Sequence, residues 1–156
     1  YQIKKINPGI KIVCSEFAVK NVDLLKSVFI EADDIVRFDI INGDWGEINK
    51  KYLEGNSACL MYRVDASFSD EEWKSIFKSL HRANISKIIF IPSSFLTLFS
   101  IFNRKLREYK WSRNNMSVVF SGYLRTKKTF QSFWKDLYEE ELYEFGGLKG
   151  FFLKIK

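Results

Sequence analysis

The clearest pattern of apolar and polar positions in the chain lies between Ser57 and Pro92. Residues 57–64 and 87–91 are apolar runs of strand length, and residues 65–68 read as a short turn. Between the two runs, residues 69–85 carry apolar side chains at helical spacing, namely Trp73, Ile76, Phe77 and Leu80. A strand, a helix and a strand joined by short connections predict a βαβ unit with parallel strands.

Two details sharpen this prediction. Ser69 and Glu72 have the spacing of a capping box, in which a hydroxyl and a carboxylate satisfy backbone amides at the start of a helix. The run Ile88–Ile91 has no polar alternation, which is typical of a strand covered on both faces. We therefore expect the helix to begin at Ser69 and the second strand to be buried.

Strand and helix patterns continue on both sides of this unit. Gly146 and Gly147 join two strand-like runs and predict an antiparallel hairpin. Further strands are predicted at 10–14, 35–38, 116–120, 137–145 and 148–155, and helices at 22–32, 47–53, 95–110 and 126–135. The predicted fold is an open, mostly parallel α/β sheet with helices on both faces and a C-terminal antiparallel hairpin.

Length and composition limit the alternatives. A chain of 156 residues with 46% hydrophobic content suits one α/β domain over residues 1–156. Cys14 and Cys59 lie in predicted strands and are expected to be buried thiols. We expect neither a membrane span nor a signal peptide, and hence a cytoplasmic protein. His81 is the only histidine, so a site with several histidine ligands is excluded.

Candidate site residues follow from the fold class. Open parallel sheets bind ligands beyond the carboxyl ends of their strands. Glu16, Asp39 and the segment Tyr62–Asp65 each lie at the carboxyl end of a predicted strand. Each carboxylate has an alternative reading as a solvated strand end or a turn residue, and Tyr62 and Arg63 have one as strand residues packed beneath a helix.

These strand ends resemble those of class I S-adenosylmethionine-dependent methyltransferases. The piece Lys11-Ile-Val-Cys-Ser-Glu-Phe17 is similar to the family's second strand, and Val36-Arg-Phe-Asp39-Ile40 to its third. The piece Cys59–Asp65 is similar to the fourth strand, and Gly122-Tyr-Leu-Arg-Thr126 with the hairpin to the C-terminal third. The resemblance runs from about Asn7 to Lys156.

The resemblance implies S-adenosylmethionine as the cofactor. It implies contacts of Glu16 with the ribose, of Asp39 and Ile40 with the adenine and of Phe17 with the cofactor, while Tyr62 and Asp65 would line the methyl-acceptor site. Methyl transfer relies mostly on alignment of the reacting atoms, so no catalytic residue can be named from sequence. The acceptor also stays open.

The chain departs from the family in one respect. The family's first strand ends in a glycine-rich loop, and no G-x-G-x-G pattern occurs here. We therefore expect a domain that is incomplete at its N-terminus and lacks this strand, and weak cofactor binding by the 156-residue chain alone. A methyltransferase is expected if an upstream cofactor loop exists.

A second function stays open beside the first. The segment Arg104–Arg113 mixes cations with Tyr109 and Trp111, and the net charge is +6. Such a surface suits an anionic partner, including a nucleic acid, although a solvated helix face is the favoured interpretation. The alternative is thus a non-catalytic α/β binding module that uses a basic face.

Overall fold

The computed structural model describes residues 2–53, 57–113, 122–145 and 147–156. The strands are Val13–Glu16 (β1), Asp34–Arg37 (β2), Cys59–Tyr62 (β3), Lys87–Ile91 (β4), Tyr138–Phe145 (β5) and Leu148–Ile155 (β6). The α-helices are Gln2–Ile6 (α1), Val19–Val28 (α2), Trp45–Ile48 (α3), Asp70–Arg82 (α4), Leu98–Arg113 (α5) and Lys127–Trp134 (α6). A π-helical turn, Asn49–Leu53, follows α3, and a 3-10 turn, Asp65–Ser67, follows β3.

Within the described residues these strands form two sheets rather than one. β1 pairs with β2 in parallel, and β3 pairs with β4 in parallel, as predicted. β4 continues into the antiparallel hairpin, so the larger sheet has the order β3-β4-β6-β5. The single open sheet predicted from sequence is therefore divided. β1 is an edge strand of the smaller sheet and β3 is an edge strand of the larger one, and the two do not pair with each other.

The core lies on one face of the larger sheet, under α4 and α6. The apolar stripe of α4 is buried as predicted, and Trp73, Ile76, Phe77 and Leu80 are each 0% exposed. Aromatic rings dominate this core: the ring centroids of Phe77 and Trp134 lie 4.9 Å apart, in the contact range of interacting aromatic pairs. The many phenylalanines thus serve largely as packing.

The start of α4 confirms the predicted capping box. The Ser69 hydroxyl accepts a hydrogen bond from the Glu72 amide at 3.3 Å, and the Glu72 carboxylate accepts one from the Ser69 amide at 2.6 Å. The bond from the Ser69 amide to the carboxylate lowers the pKa of the Glu72 carboxyl. Local sequence alone therefore fixed where this helix begins.

The opposite face of the larger sheet differs from the prediction of helices on both faces. Leu60 and Tyr62 on β3 are 55% and 48% exposed, and Ile89 and Ile91 on β4 are only half-buried. The run Ile88–Ile91 is thus not covered on both sides within the described residues. An apolar run gives the same sequence signal whether its second face is covered by its own chain or left open.

The long helix α5 carries an apolar stripe, on which Phe102, Leu106 and Tyr109 are exposed. Periodicity shows that a helix has an apolar face, but it does not show that this chain covers that face. The strand predicted at 116–120 lies outside the described residues.

Candidate functional site

Glu16 is the last residue of β1, and its carboxylate serves the start of α2. Oε1 accepts hydrogen bonds from the amides of Phe17 at 2.9 Å and Ala18 at 3.1 Å. These amides lie just before the helix, so the carboxylate holds the chain reversal between β1 and α2. Within the described residues Oε2 has no hydrogen-bond partner, which leaves one oxygen able to accept a further donor.

Phe17 and Arg37 flank this carboxylate. Arg37 lies directly across from Glu16 in the parallel register, and its Nε donates to the Phe17 carbonyl at 3.2 Å. The guanidinium carbon lies 5.9 Å from the centre of the Phe17 ring, which is 60% exposed. An exposed ring therefore stands beside an acidic strand end.

Asp39 follows β2 by two residues, at the same edge of the small sheet. Its Oδ1 accepts from the amides of Ile41 at 2.9 Å and Asn42 at 3.2 Å, and Oδ2 accepts from the Asn42 side chain at 3.0 Å. These bonds hold the pKa of the Asp39 carboxyl below its usual value. The ionised carboxylate is therefore built into the turn after β2.

The turn after Asp39 leads into the main core. The Ile40 carbonyl accepts a hydrogen bond from Trp45 Nε1 at 3.1 Å, and Trp45 is buried. Gly43 permits this path, because a Cβ atom there would lie 2.4 Å from the Asp39 carbonyl oxygen. The candidate adenine-side residues, Asp39 and Ile40, are thus anchored to the larger sheet by Trp45.

Tyr62 and Asp65 lie at the end of β3 but have different surroundings. Tyr62 is half exposed, and the Arg63 guanidinium lies 5.3 Å from the centre of its ring. Arg63 has φ of 57°, so the chain turns sharply as it leaves the strand. Asp65 is only 2% exposed, and its Oδ1 accepts from the Ser93 amide at 2.6 Å and hydroxyl at 2.8 Å.

Two residues near the carboxyl ends of β3 and β4 were not identified from the sequence as site residues. Ser93 follows the carboxyl end of β4, so the strand-end rule that selected Tyr62 and Asp65 could have found it. Arg125 gave no such signal, because it stands in an irregular segment before α6. Its guanidinium is buried against the loop after β3, which only the tertiary structure brings close.

The structure therefore brings the predicted residues into two groups. Glu16, Phe17, Asp39 and Ile40 lie at one end of the small sheet, and Tyr62 and Asp65 lie at the carboxyl end of β3. His81 packs its ring 5.9 Å from that of Tyr138, whose hydroxyl donates to the Ile85 carbonyl just before β4 begins. The histidine therefore sits at the opposite end of β4.

Two kinds of feature are absent from the residues that the structure describes. These residues contain no group of three or more His, Cys, Asp or Glu side chains placed to hold a metal ion. None of their helices combines the length and apolar character needed to cross a bilayer. The polar groups available at the carboxyl ends of the strands are carboxylates, hydroxyls, guanidinium groups and backbone amides.

No family model matches the chain, and no curated protein sequence matches it. Solved structures do. PigF with SAH is 15% identical with a TM-score of 0.65, and the match covers 99% of this chain and 46% of PigF. OxaC in complex with SAH and oxaline is 16% identical with a TM-score of 0.62, over 99% of this chain and 39% of OxaC.

Human N-acetylserotonin methyltransferase in complex with SAM is 14% identical with a TM-score of 0.61, over 97% of this chain and 42% of the human enzyme. At such low identity, the likeness concerns the fold. The chain has the Rossmann-like α/β fold of these methyltransferase structures, and it spans less than half the length of each of the three.

Proposed function

We propose that the chain is part of an S-adenosylmethionine-dependent methyltransferase domain. The observation that carries this proposal is the fold likeness over nearly the whole chain to proteins solved with SAH or SAM. The acidic residues at the ends of β1 and β2 add independent support, because they stand where open α/β sheets bind ligands. When bound, the cofactor supplies a methyl group on a positively charged sulfur.

The proposed cofactor contacts are Glu16 and Phe17 for the ribose and Asp39 and Ile40 for the adenine. The fit rests on Glu16, since Oε1 is held by two amides and Oε2 is left to accept a ribose hydroxyl. Asp39 is less free, because both its oxygens already accept bonds within the turn. A second bond to an adenine amino group is compatible with this, since each carboxylate oxygen accepts more than one donor.

For the acceptor side we propose Tyr62, together with the loop that Asp65 holds. Tyr62 is half exposed and offers a ring face and a hydroxyl. Asp65 is buried and bonded to Ser93, so it acts by fixing the ends of β3 and β4 relative to each other. Orientation of this kind is what methyl transfer demands of a protein, because the reaction depends on a close, aligned approach of acceptor and methyl carbon.

We also propose that a further strand pairs between β1 and β3 in the working domain. Among the described residues each of these strands has one unpaired edge, and open backbone edges favour the addition of a strand. The half-exposed Leu60 and Tyr62 and the apolar residues around α2 would be covered by the same segment. The matched structures, of which this chain spans less than half, leave ample length for it.

Calorimetry with S-adenosylhomocysteine tests the proposal on two proteins: the 156-residue chain, and a chain extended at Tyr1 by its upstream coding sequence. We expect weak or undetectable binding by the shorter chain and clear binding by the extended one. Tight binding by the shorter chain would refute the added strand. No binding by the extended chain would refute the cofactor assignment.

Variants of Glu16 separate its two tasks. Glu16→Gln keeps an oxygen for the amides of Phe17 and Ala18 but removes the charge, so we expect affinity of the extended chain to fall about tenfold, or about 1.4 kcal/mol, with the fold intact. Asp23→Ala is the matched control, because Asp23 is an exposed carboxylate on the neighbouring α2. Equal losses in both variants would remove Glu16 from the site.

A second candidate is a non-catalytic module that binds an anionic partner through α5. The observation in its favour is that Lys105, Tyr109 and Arg113 are all exposed on this helix. Binding of this kind should weaken steeply with salt, because neutralised phosphates release counterions. Retention on a DNA column at low salt that Lys105→Glu abolishes would favour it, and we expect no retention.

A further inference from the structure

The segment 122–125 contains a buried and extensively hydrogen-bonded cation, the Arg125 guanidinium, near the carboxyl end of β3. The side chain of Arg125 is 3% exposed, and its three donor nitrogens bond to the loop after β3 and to the first residue of α4. Nε donates to Asp70 Oδ1 at 2.6 Å, Nη1 to the Asp65 carbonyl at 2.6 Å, and Nη2 to the Phe68 carbonyl. A planar guanidinium makes such a fork of bonds, whereas a lysine ammonium does not.

The surroundings of this guanidinium fix its orientation. Its central carbon lies 5.0 Å from the ring centre of Tyr123 and 5.6 Å from that of Phe133, so two aromatic rings flank the cation. Gly122 has φ of 95°, and a Cβ atom there would lie 2.7 Å from the Cβ of Ala66. The segment is therefore pressed closely against the 3-10 turn after β3.

Backbone bonds extend the same junction to the end of β4. The Tyr123 amide donates to the Ala66 carbonyl at 3.1 Å, and the Leu96 amide donates to the Arg125 carbonyl at 2.7 Å. The Asp65 carboxylate holds Ser93 from the other side. Arg125 thus joins three segments: the loop after β3, the loop after β4 and the approach to α6.

We propose that Arg125 is a positioning residue that sets the loop 63–69 against the carboxyl end of the sheet and so fixes the acceptor side of the site. This inference rests on the proposed function, in which Tyr62 faces the acceptor. Arg63 leaves β3 immediately after Tyr62, and its amide donates to the Ile91 carbonyl at 2.8 Å. The setting of Tyr62 therefore depends on a loop whose carbonyls Arg125 holds.

Hydrogen exchange resolved by residue tests this on Arg125→Lys, which keeps the charge beside Asp70 but loses the fork. We expect the amides of Arg63, Ser67, Ser93 and Tyr123 to exchange at least about tenfold faster, as when a local unit opens on its own. Amides in the middle of α4 and in the β4–β6 pairing should keep their rates. Uniform acceleration, or no change in the loop, would overturn the proposal.

Phe133→Leu is the matched control, because Phe133 is buried and contacts the same guanidinium without bonding to the loop. We expect it to speed exchange throughout the larger sheet rather than in the loop alone. A loop-specific effect in this control equal to that of Arg125→Lys would show that packing, not the fork, holds the loop.

Chemical rescue gives a readout that a general loss of stability does not move. In Arg125→Ala, dilute guanidinium should restore slow exchange at the loop amides, whereas methylammonium at the same concentration should not. Equal rescue by both cations would assign the effect to charge alone and overturn the fork. If Arg125→Ala does not fold, Arg125→Lys and its control decide the question.

The two proposals fail in distinguishable ways. Affinity of the extended chain for S-adenosylhomocysteine should stay within about twofold in Arg125→Lys, because Arg125 contacts the acceptor loop and not Glu16. A fall in affinity as large as that expected for Glu16→Gln would contradict the division of the site into a cofactor side and an acceptor side. Absence of binding in every variant would count against the cofactor alone, since the exchange pattern needs no ligand.

Discussion

The two ends of this chain are packed very differently. In the N-terminal unit, residues 2–37, the buried apolar residues among the described side chains are Val22 and Ile35, and several large apolar side chains around α2 are exposed, among them Phe17, Val19, Leu24, Val28 and Ile30. In the C-terminal unit, residues 57–156, the helices α4 and α6 bury a continuous aromatic core against four strands. The N-terminal unit has a two-stranded sheet and the ten-residue helix α2 with which to bury apolar side chains.

This difference indicates that the N-terminal unit depends on a further segment to cover its apolar side chains. A two-stranded sheet is marginal by itself, and a face with that many exposed apolar groups gains by being covered. The segment 38–53 joins the N-terminal unit to the core, because Trp45 is a core residue and the Tyr52 hydroxyl donates to Asp34 at 2.5 Å. The proposed strand between β1 and β3 would pair the open edges of these two strands and complete the weaker unit.

The largest expected difference between the units is in the cost of truncation. Trp73→Ala removes a side chain that is 0% exposed and whose Nε1 donates to the Asp65 carbonyl, so we expect a loss of about 3–5 kcal/mol in unfolding free energy. Val22→Ala in the N-terminal unit should cost about 1 kcal/mol, since fewer atoms leave a looser site. Denaturant titration measures both. Equal costs would mean that the units are packed alike.

A smaller difference is expected at the helix caps. Ser69→Ala removes the hydroxyl that caps α4 and should cost about 1 kcal/mol in denaturant titration. Ala18 precedes α2 and offers no side-chain cap, so Ala18→Ser should stabilise the protein by up to about 1 kcal/mol. If Ala18→Ser has no effect, Glu16 already meets the need for capping at α2.

The smallest expected difference concerns the two thiols. Burial raises the pKa of both, and it raises the pKa of Cys59 in the C-terminal unit to about 12. Because thiolate is the reactive form, Cys14 should be alkylated faster than Cys59 at pH 9. Mass spectrometry of partly alkylated protein gives the two rates, and a faster Cys59 would contradict the ranking.

The raised pKa of Cys59 also sets the direction in which stability changes with pH. Below its unfolded pKa the Cys59 thiol is neutral in both states, so its contribution is fully present there. As pH rises from about 9 towards 12, the unfolded state ionises first and stability falls. Cys59→Ala should flatten this part of the stability curve, whereas Cys14→Ala should change it less. A curve that falls as steeply in Cys59→Ala would assign the loss to other groups.

The sequence by itself determined the local elements. The capping box at Ser69, the apolar stripe of α4 and the hairpin at Gly147 depend on residues close in sequence, and the parallel βαβ unit follows from the order of strand, helix and strand. The structure confirms all four. The sequence also placed the candidate carboxylates at strand ends, because that follows from element boundaries. What those carboxylates bind stays a prediction.

Only the tertiary structure decided which surfaces are covered. Apolar periodicity is the same for a buried and an open face, so the exposure of Leu60 and of the stripe on α5 could not be predicted from it. The gap between β1 and β3 and the reach of Arg125 to the Asp65 carbonyl, 60 residues earlier, depend on pairings between distant segments. Sequence patterns register the preferences of neighbouring residues, whereas these contacts depend on how the whole chain closes in space.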